Sequence, residues 1–223
     1  MTTISLTASD GHRLSAYEAV PSERPRGGLV VVQEIFGVNR HVRDVADDYA
    51  GEGYRVLAPA LFDRAERGVE LGYDQDGRDR GIALRQQIGL EEMLADIEAC
   101  VTALKPAGKV AVVGYCLGGS LAWLAATRLA DVSAAVGYYG GMVARHLGET
   151  PNCPVMLHFG EEDGGIPMSD VAAIRAAVDM NVQVFTYPGA GHAFNRAGNH
   201  AHHPPSAVLA RERSLGFLRE HLG

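Results

Sequence analysis

Six short runs of apolar, largely β-branched residues recur along this 223-residue chain, and they constrain its fold more than any other feature. Runs of this composition, five or six residues long, are typical of strands that are buried on both faces of a parallel sheet. The six runs are residues 29–33, 54–58, 109–113, 134–138, 155–159 and 182–187. Helix-like segments lie between most of them, so strands and helices alternate. This alternation predicts an α/β fold with a mostly parallel sheet flanked by helices.

The helix-like segments show the 3.6-residue apolar spacing of amphipathic helices. Val171, Ile174 and Val178 follow this spacing, and Ser169 is predicted to cap their helix at its N-terminus. Residues 206–222 are predicted to form a similar helix at the end of the chain.

Residues 62–81 interrupt the alternation, because they are rich in Asp, Arg and Gly and have little apolar periodicity. We expect a long loop or cap there rather than part of the core. No internal repeat, low-complexity tract or linker is evident, so residues 1–223 are expected to form one domain.

Composition excludes several classes of function. The net charge of -7 and the presence of only two lysines argue against a nucleic-acid surface. Three widely spaced cysteines, Cys100, Cys116 and Cys153, fit neither a disulfide framework nor a CxxC pair. With no signal-like N-terminus, the protein is expected to be cytoplasmic. The uncharged residues 110–126 are split by Gly118, Gly119 and Ser120, so a membrane span is not expected.

The strongest functional motif surrounds Cys116. A buried strand is followed by Gly114, Tyr115, Cys116, Leu117 and Gly118, and then by a helix-prone segment. This order is typical of the nucleophile elbow of α/β-hydrolases, whose strained turn needs small residues two positions before and after the nucleophile. Cysteine stands here in the place of that nucleophile.

A candidate acid and a candidate base follow in the order that this fold requires. Asp163 lies in a glycine-rich loop after the fifth apolar run, with Glu161 and Glu162 as rivals for the same role. His192 lies in a short, glycine-flanked loop after the sixth run, where the base is expected.

The segment after the first apolar run, QEIFG, lies where this fold takes one of its oxyanion-hole amides. The backbone N–H groups of Ile35 and Leu117 are the candidate donors. Glu34 is an unusual carboxylate, because it lies at the end of a strand beside Ile35 and Phe36.

Four separated motifs, QEIFGVN, GYCLGGS, VGYYG and GHAFNR, together resemble the dienelactone hydrolase family over nearly the whole chain. The resemblance implies an α/β-hydrolase fold without a large cap domain, a Cys-His-Asp triad, no metal or organic cofactor and a monomeric enzyme. It also implies a small anionic lactone or ester as the substrate.

The resemblance assigns roles to individual residues. Cys116 would be the nucleophile, His192 the base, Asp163 the acid that orients the base, and Glu34 a carboxylate that helps to form the thiolate. Arg196 and Arg80 would bind the substrate carboxylate and Phe36 would contact the substrate, with Arg78 as the competitor of Arg80. Where the family has a tyrosine shortly after the first arginine, this chain has Leu84, which puts the substrate in doubt.

Other features of the sequence are expected to have no catalytic role. His200, His202 and His203 have no evident carboxylate partner and are interpreted as a polar loop. Cys100 and Cys153 are interpreted as buried thiols. The predicted function is opening of an enol-lactone, dienelactone to maleylacetate, through a cysteine acyl-enzyme. The alternatives are another ester or lactone substrate, or a non-catalytic thiol-sensing binder on the same fold.

Overall fold

A computed structural model describes residues 2–198 and 200–223, and its centre is one eight-stranded sheet. The strands follow the spatial order β1-β2-β4-β3-β5-β6-β7-β8. Their bounds are β1 Thr2–Thr7, β2 Arg13–Ala19, β3 Gly28–Val32, β4 Arg55–Pro59, β5 Val110–Tyr115, β6 Ala134–Tyr138, β7 Val155–Gly160 and β8 Val182–Tyr187. Strands β3 to β8 are parallel, whereas β1 and β2 are antiparallel additions at one edge.

The six predicted strands correspond to β3 through β8, with ends that differ by at most two residues. The sequence did not predict β1 and β2. Strand β1 alternates between exposed and half-buried positions and contains no fully buried residue. An edge strand of this kind lacks the apolar run that marks a strand buried on both faces.

The described residues contain six α-helices: α1 Arg40–Gly51, α2 Gln75–Gln86, α3 Leu90–Leu104, α4 Leu117–Arg128, α5 Met168–Ala177 and α6 Pro204–Leu222. Helices α1 and α6 are joined by an ion pair between Arg211 and Asp48 at 2.6 Å. The predicted cap at Ser169 is wrong, because α5 begins at Met168 and Pro167 occupies the cap position.

The prediction for residues 62–81 is also wrong in part. Helix α2 begins within this segment, and the Asp74 side chain caps it by accepting a hydrogen bond from the Gly77 N–H at 2.8 Å. The helix buries only Gly77, Gly81 and Leu84, and two glycines give no apolar periodicity. Phe62, at the start of the segment, is 1% exposed and belongs to the core.

Parallel strands bring the loops that follow them to the same edge of the sheet, where α/β proteins place their binding sites. The loops after β3, β5, β7 and β8 carry Glu34, Cys116, Asp163 and His192 respectively. In the part of the chain that the structure describes, no helix is long and apolar enough to cross a membrane. A single domain, a monomer and a cytoplasmic location stay predictions.

Candidate active site

Cys116 lies in the turn between β5 and α4, with a positive φ of 54°. Its backbone is held on both sides, because its N–H donates to Tyr138 O at 3.0 Å and its carbonyl accepts from Ser120 N at 3.2 Å. A Cβ on Gly114 would lie 1.9 Å from Gly118 O, and one on Gly118 would lie 2.2 Å from Val32 O. The two glycines therefore allow the close backbone approaches that form the elbow.

Asp163 and His192 meet at the same edge of the sheet. Asp163 Oδ2 lies 2.6 Å from His192 Nδ1, while Oδ1 accepts a hydrogen bond from Gly165 N at 2.9 Å. Asp163 is 5% exposed, whereas the neighbouring Glu161 and Glu162 are exposed. The structure thus brings Asp163, and neither rival, to the histidine.

The surroundings of His192 favour its protonated form. Burial lowers the pKa of the imidazole, but its hydrogen bonds to Asp163 and Cys116 and their negative charges outweigh burial and raise the pKa to about 10. The ring of Tyr139 packs against the imidazole at 4.8 Å between centroids, and the Tyr139 hydroxyl donates to Asn195 Oδ1 at 2.5 Å. Tyr139 therefore restrains the orientation of the histidine.

The two predicted oxyanion donors are Ile35, in the loop after β3, and Leu117, the residue that follows Cys116. Leu117 is the first residue of α4, so its N–H has no partner within the helix. Among the described residues, no hydrogen bond uses the N–H of either Leu117 or Ile35. Both amides are thus free to donate to an oxygen in the cavity.

The loop that carries Ile35 is held in place by its neighbours. Gly37 has φ +76°, and a Cβ there would lie 2.0 Å from Val69 O. Helix α2 approaches from the other direction, where a Cβ on Gly81 would lie 1.9 Å from Ile35 O. Leu71 N also donates to Phe36 O at 2.9 Å. These contacts make α2 part of the support for the candidate oxyanion hole.

Glu34 forms a buried ion pair with Arg196. Their side chains are 1% and 9% exposed, and Arg196 Nη2 donates to Glu34 Oε1 at 2.6 Å. Glu34 Oε2 and Arg196 Nε are also buried, and neither has a hydrogen-bond partner among the described residues. The pair is therefore only partly satisfied, which is costly at a buried site.

Two aromatic rings pack around the Arg196 guanidinium. Its Cζ lies 3.9 Å from the ring centroid of Tyr73 and 5.5 Å from that of Phe36. The two rings meet edge to face at 4.7 Å. Burial, followed by the charge of Glu34, raises the pKa of Tyr73 to about 12, so its hydroxyl stays protonated at neutral pH.

These groups surround a cavity of about 420 Å³. Its lining comprises Ile35, Phe36, Tyr73, Arg78, Cys116, Asp163, Gly164, Gly165, His192, Ala193, Arg196, His200 and Ala201. The volume lies in the range of small-molecule sites, and the lining combines aromatic and apolar groups with a few polar ones, as such sites do.

Arg80, which is predicted to bind the substrate carboxylate, lies outside this cavity in the structure. Arg80 Nη2 donates to Glu66 Oε1 at 2.5 Å, and Arg80 is absent from the cavity lining, whereas Arg78 is present in it. Residues two apart on a helix point about 200° away from each other, so only one of the two arginines can face the cavity. Leu84 is 6% exposed and packs in the core.

Tyr73, Tyr139 and Asn195 were not predicted from the sequence to have a role. Tyr139 was available as part of the motif VGYYG, but Tyr73 lies in the segment interpreted as a loop. His200 was interpreted from the sequence as part of a polar loop, yet it lines the cavity. Within residues 2–198 and 200–223, no group of three or more His, Cys, Asp or Glu side chains could hold a metal ion.

The sheet order, the elbow and the histidine and aspartate loops define the chain as an α/β-hydrolase. A sequence profile described as the dienelactone hydrolase family matches residues 14–222. The chain therefore belongs to the dienelactone hydrolase family, and it is a hydrolase of that type.

Relatives with full-length matches agree with this assignment. A carboxymethylenebutenolidase from Pseudomonas putida is 35% identical over 96% of this chain and 94% of its own length. A protein of Klebsiella pneumoniae subsp. pneumoniae, provisionally named a dienelactone hydrolase, is 28% identical with a TM-score of 0.80, covering 97% of this chain and 98% of its own. A dienelactone hydrolase-like promiscuous phosphotriesterase from metagenomic libraries superposes with a TM-score of 0.78 over 100% of this chain and 99% of its own. At 23% identity, that last likeness concerns the fold alone.

Proposed function

We propose that this protein hydrolyses a small enol-lactone that bears a carboxylate, such as dienelactone, to give maleylacetate. In this proposal Cys116 forms an acyl-enzyme, and no metal or organic cofactor takes part. The observation that carries the proposal is the buried Arg196–Glu34 pair, whose arginine lines the same cavity as Cys116 and His192. The name of the Pseudomonas putida relative, a carboxymethylenebutenolidase, supports the same substrate class.

The arginines explain the preference for an anion. Arg196 Nε is a donor without a partner, and because it is buried a substrate carboxylate would reach it through a shift of the Arg196 side chain. Arg78 lines the same cavity and is exposed to solvent at its entrance. A carboxylate between the two guanidinium groups would orient the lactone ring toward Cys116.

Binding of the carboxylate would also alter Glu34. An incoming anion competes with Glu34 for Arg196, and a Glu34 released from that ion pair becomes a base that can take the Cys116 proton. His192 provides a second route, because its protonated form is stabilised by the thiolate and by Asp163. In both routes the thiolate is the nucleophile.

The reaction then proceeds in two steps. Cys116 Sγ bonds to the lactone carbonyl carbon, the N–H groups of Ile35 and Leu117 stabilise the oxyanion, and the ring C–O bond breaks. The leaving group is an enolate, which takes up the proton that Glu34 or His192 removed from Cys116 and becomes a ketone. A water then attacks the thioester, His192 takes the water proton, and the C–S bond breaks to release the acid and the thiolate.

Acylation itself prepares His192 for the second step. The negative charge of Cys116 is one of the causes that raise the pKa of His192. Once Cys116 is acylated this charge is lost, so the imidazole gives up its proton more readily and can act as a base toward water.

A second candidate is hydrolysis of a different ester by the same residues. It is favoured by Leu84, which is buried in the core and offers no hydroxyl to a substrate. A non-catalytic thiol-sensing role is a third possibility, and it predicts no turnover of any ester. These candidates differ in the substrates that the protein consumes.

The deciding experiment compares turnover of cis- and trans-dienelactone with that of a neutral ester of similar size. We expect kcat/KM to be higher for dienelactone, and Cys116→Ser to lose most of the activity while keeping the fold. His192→Ala is expected to slow either acylation or thioester breakdown, and intact-mass measurement of an accumulated acyl-enzyme distinguishes the two.

Two results would contradict the proposal. Normal turnover by Cys116→Ser would exclude the cysteine nucleophile. A preference for neutral esters would exclude an anionic lactone as the substrate, but it would not contradict hydrolysis by the cysteine nucleophile.

A further inference from the structure

A second and larger cavity, of about 520 Å³, lies between α1 and α6. Its lining contains none of Cys116, His192 and Asp163. The two cavities are neighbours, because Tyr73 belongs to the lining of both. The mechanism proposed for Cys116 makes no use of this second cavity.

Aromatic rings form the buried part of the second cavity. Tyr115 and Tyr138 stack at 4.8 Å between centroids with an interplanar angle of 28°. The Tyr49 hydroxyl lies 3.5 Å from that of Tyr115. These tyrosines are 2 to 5% exposed, so only a small part of each ring faces the cavity, in a fixed position against which a planar aromatic molecule could pack.

The lining also includes a polar atom without a partner. His41 Nε2 is buried and has no hydrogen-bond partner in the described part of the chain. Burial lowers the pKa of His41 and outweighs the nearby charge of Glu34, so the ring is neutral at pH 7. A neutral imidazole nitrogen either accepts or donates one hydrogen bond, depending on the tautomer.

The charged residues of the lining balance one another. Arg211 pairs with Asp48 at 2.6 Å, and Arg40 lies 3.7 Å from Asp44. Two cations and two anions leave no excess charge to attract an ionic ligand. The cavity is thus suited to a neutral occupant, in contrast to the catalytic cavity with Arg196 and Arg78.

We propose that this second cavity binds a neutral aromatic molecule that carries a hydroxyl group, with the ring against the tyrosines. The hydroxyl bonds to His41 Nε2, which is buried in the structure and reaches the cavity when the imidazole turns. A hydroxyl matches either tautomer of His41, because it both donates and accepts. The site is separate from the proposed substrate site, and the inference does not depend on the reaction proposed for Cys116.

The test uses p-cresol as the probe and measures its binding to the whole protein by calorimetry. Val208 lines the cavity and is 58% exposed, so Val208→Trp should fill the mouth without disturbing the core. Leu209→Trp is the matched control, because Leu209 is the next residue on α6, is 41% exposed and lies outside the lining. We expect Val208→Trp to weaken p-cresol binding at least about ten-fold and Leu209→Trp to change it less than about two-fold.

A further variant tests the hydrogen bond. His41→Phe keeps a ring but removes the nitrogen, so p-cresol should bind about three- to ten-fold more weakly while toluene, which has no hydroxyl, is unaffected. Circular dichroism and thermal unfolding establish that each variant is folded.

Three results would overturn the proposal. One is the absence of saturable p-cresol binding to the wild type. Another is equal binding by the Val208→Trp and Leu209→Trp variants. The third is loss of ester turnover in Val208→Trp, which would make this cavity part of the substrate site.

Discussion

Replacement of both partners of the Arg196–Glu34 pair should destabilise the fold by clearly less than the sum of the two single replacements. The two side chains are 9% and 1% exposed, so either single replacement leaves the other ionic group buried without its partner. Arg196→Met keeps most of the bulk between Tyr73 and Phe36 and removes the charge. Glu34→Gln keeps the shape and removes the carboxylate.

The expected magnitudes follow from this burial. Removing one member of a buried ion pair costs about 3–5 kcal/mol in the free energy of unfolding. Arg196→Met also loses the packing of a cation on Tyr73, which contributes about 0.5–2 kcal/mol. The double variant no longer buries an isolated charge, so it should be more stable than the sum of the single losses predicts, by about 3 kcal/mol.

Urea unfolding followed by tryptophan fluorescence measures these values. Trp123 is the only tryptophan and is 1% exposed on α4, so its emission reports the loss of the core. Arg80→Met is the matched control, because it also replaces arginine by methionine but breaks an exposed pair with Glu66. That variant should cost no more than about 1 kcal/mol.

The same variants test the role of the pair in catalysis. Arg196→Met should lower kcat/KM for an anionic lactone about ten- to a hundred-fold, because a charge-assisted hydrogen bond contributes about 1.5–3 kcal/mol. A neutral ester such as p-nitrophenyl acetate should be nearly unaffected. Additive single losses below about 1 kcal/mol would refute the buried pair as described. Equal kinetic losses on both substrates would refute its role in binding the anion.

Two further predictions concern protonation. Iodoacetamide should label Cys116 readily between pH 6 and 8, because the neighbouring His192, whose pKa is about 10, stays cationic over this range. Cys153 is the internal control, because burial raises the pKa of its thiol to about 11. A rate that rises ten-fold per pH unit over this range, or is unchanged in His192→Gln, would contradict this interpretation. Burial, reinforced by Arg213, lowers the pKa of His158 to about 3, so the unfolded chain takes up this proton before the folded protein does. Stability should therefore fall as the pH drops from about 6.5 toward 3, by up to about 1.4 kcal/mol per pH unit. His158→Phe should flatten that slope in urea unfolding, and an unchanged slope would exclude His158 as its source.

The parallel part of the sheet could be predicted from sequence because each of its strands is an apolar run bounded by turn residues. Strands β1 and β2 could not, since β1 has no fully buried residue and β2 buries only Leu14, Ala16 and Ala19, so neither contains an apolar run. Helix α2 was missed for a related reason, because two of its three buried residues are the glycines Gly77 and Gly81. A glycine that permits close packing contributes nothing to an apolar pattern.

The candidate site could be predicted where chain order alone fixes it. Cys116, Asp163 and His192 each follow a recognisable strand, and the fold requires that order. The choice between Arg78 and Arg80 depends instead on which face of α2 lies toward the cavity. It could not be predicted, because this segment was interpreted as a loop and not as a helix. Tyr73 was missed with it, because its stacking on Arg196 joins parts of the chain that are far apart in sequence.

Backbone strain is concentrated in this same region. Among the described residues, three that are not glycine have a positive φ: Cys116 at 54°, Tyr139 at 39° and Ala193 at 60°. Cys116 is the proposed nucleophile, Tyr139 packs on the imidazole of His192, and Ala193 follows His192 directly. Such conformations cost about 1–3 kcal/mol each and persist only where the surrounding structure enforces them. Here the enforcing contacts are the backbone hydrogen bonds from Cys116 and Tyr139 to the neighbouring strands, so the sheet that is most evident in the sequence also holds the site in its strained geometry.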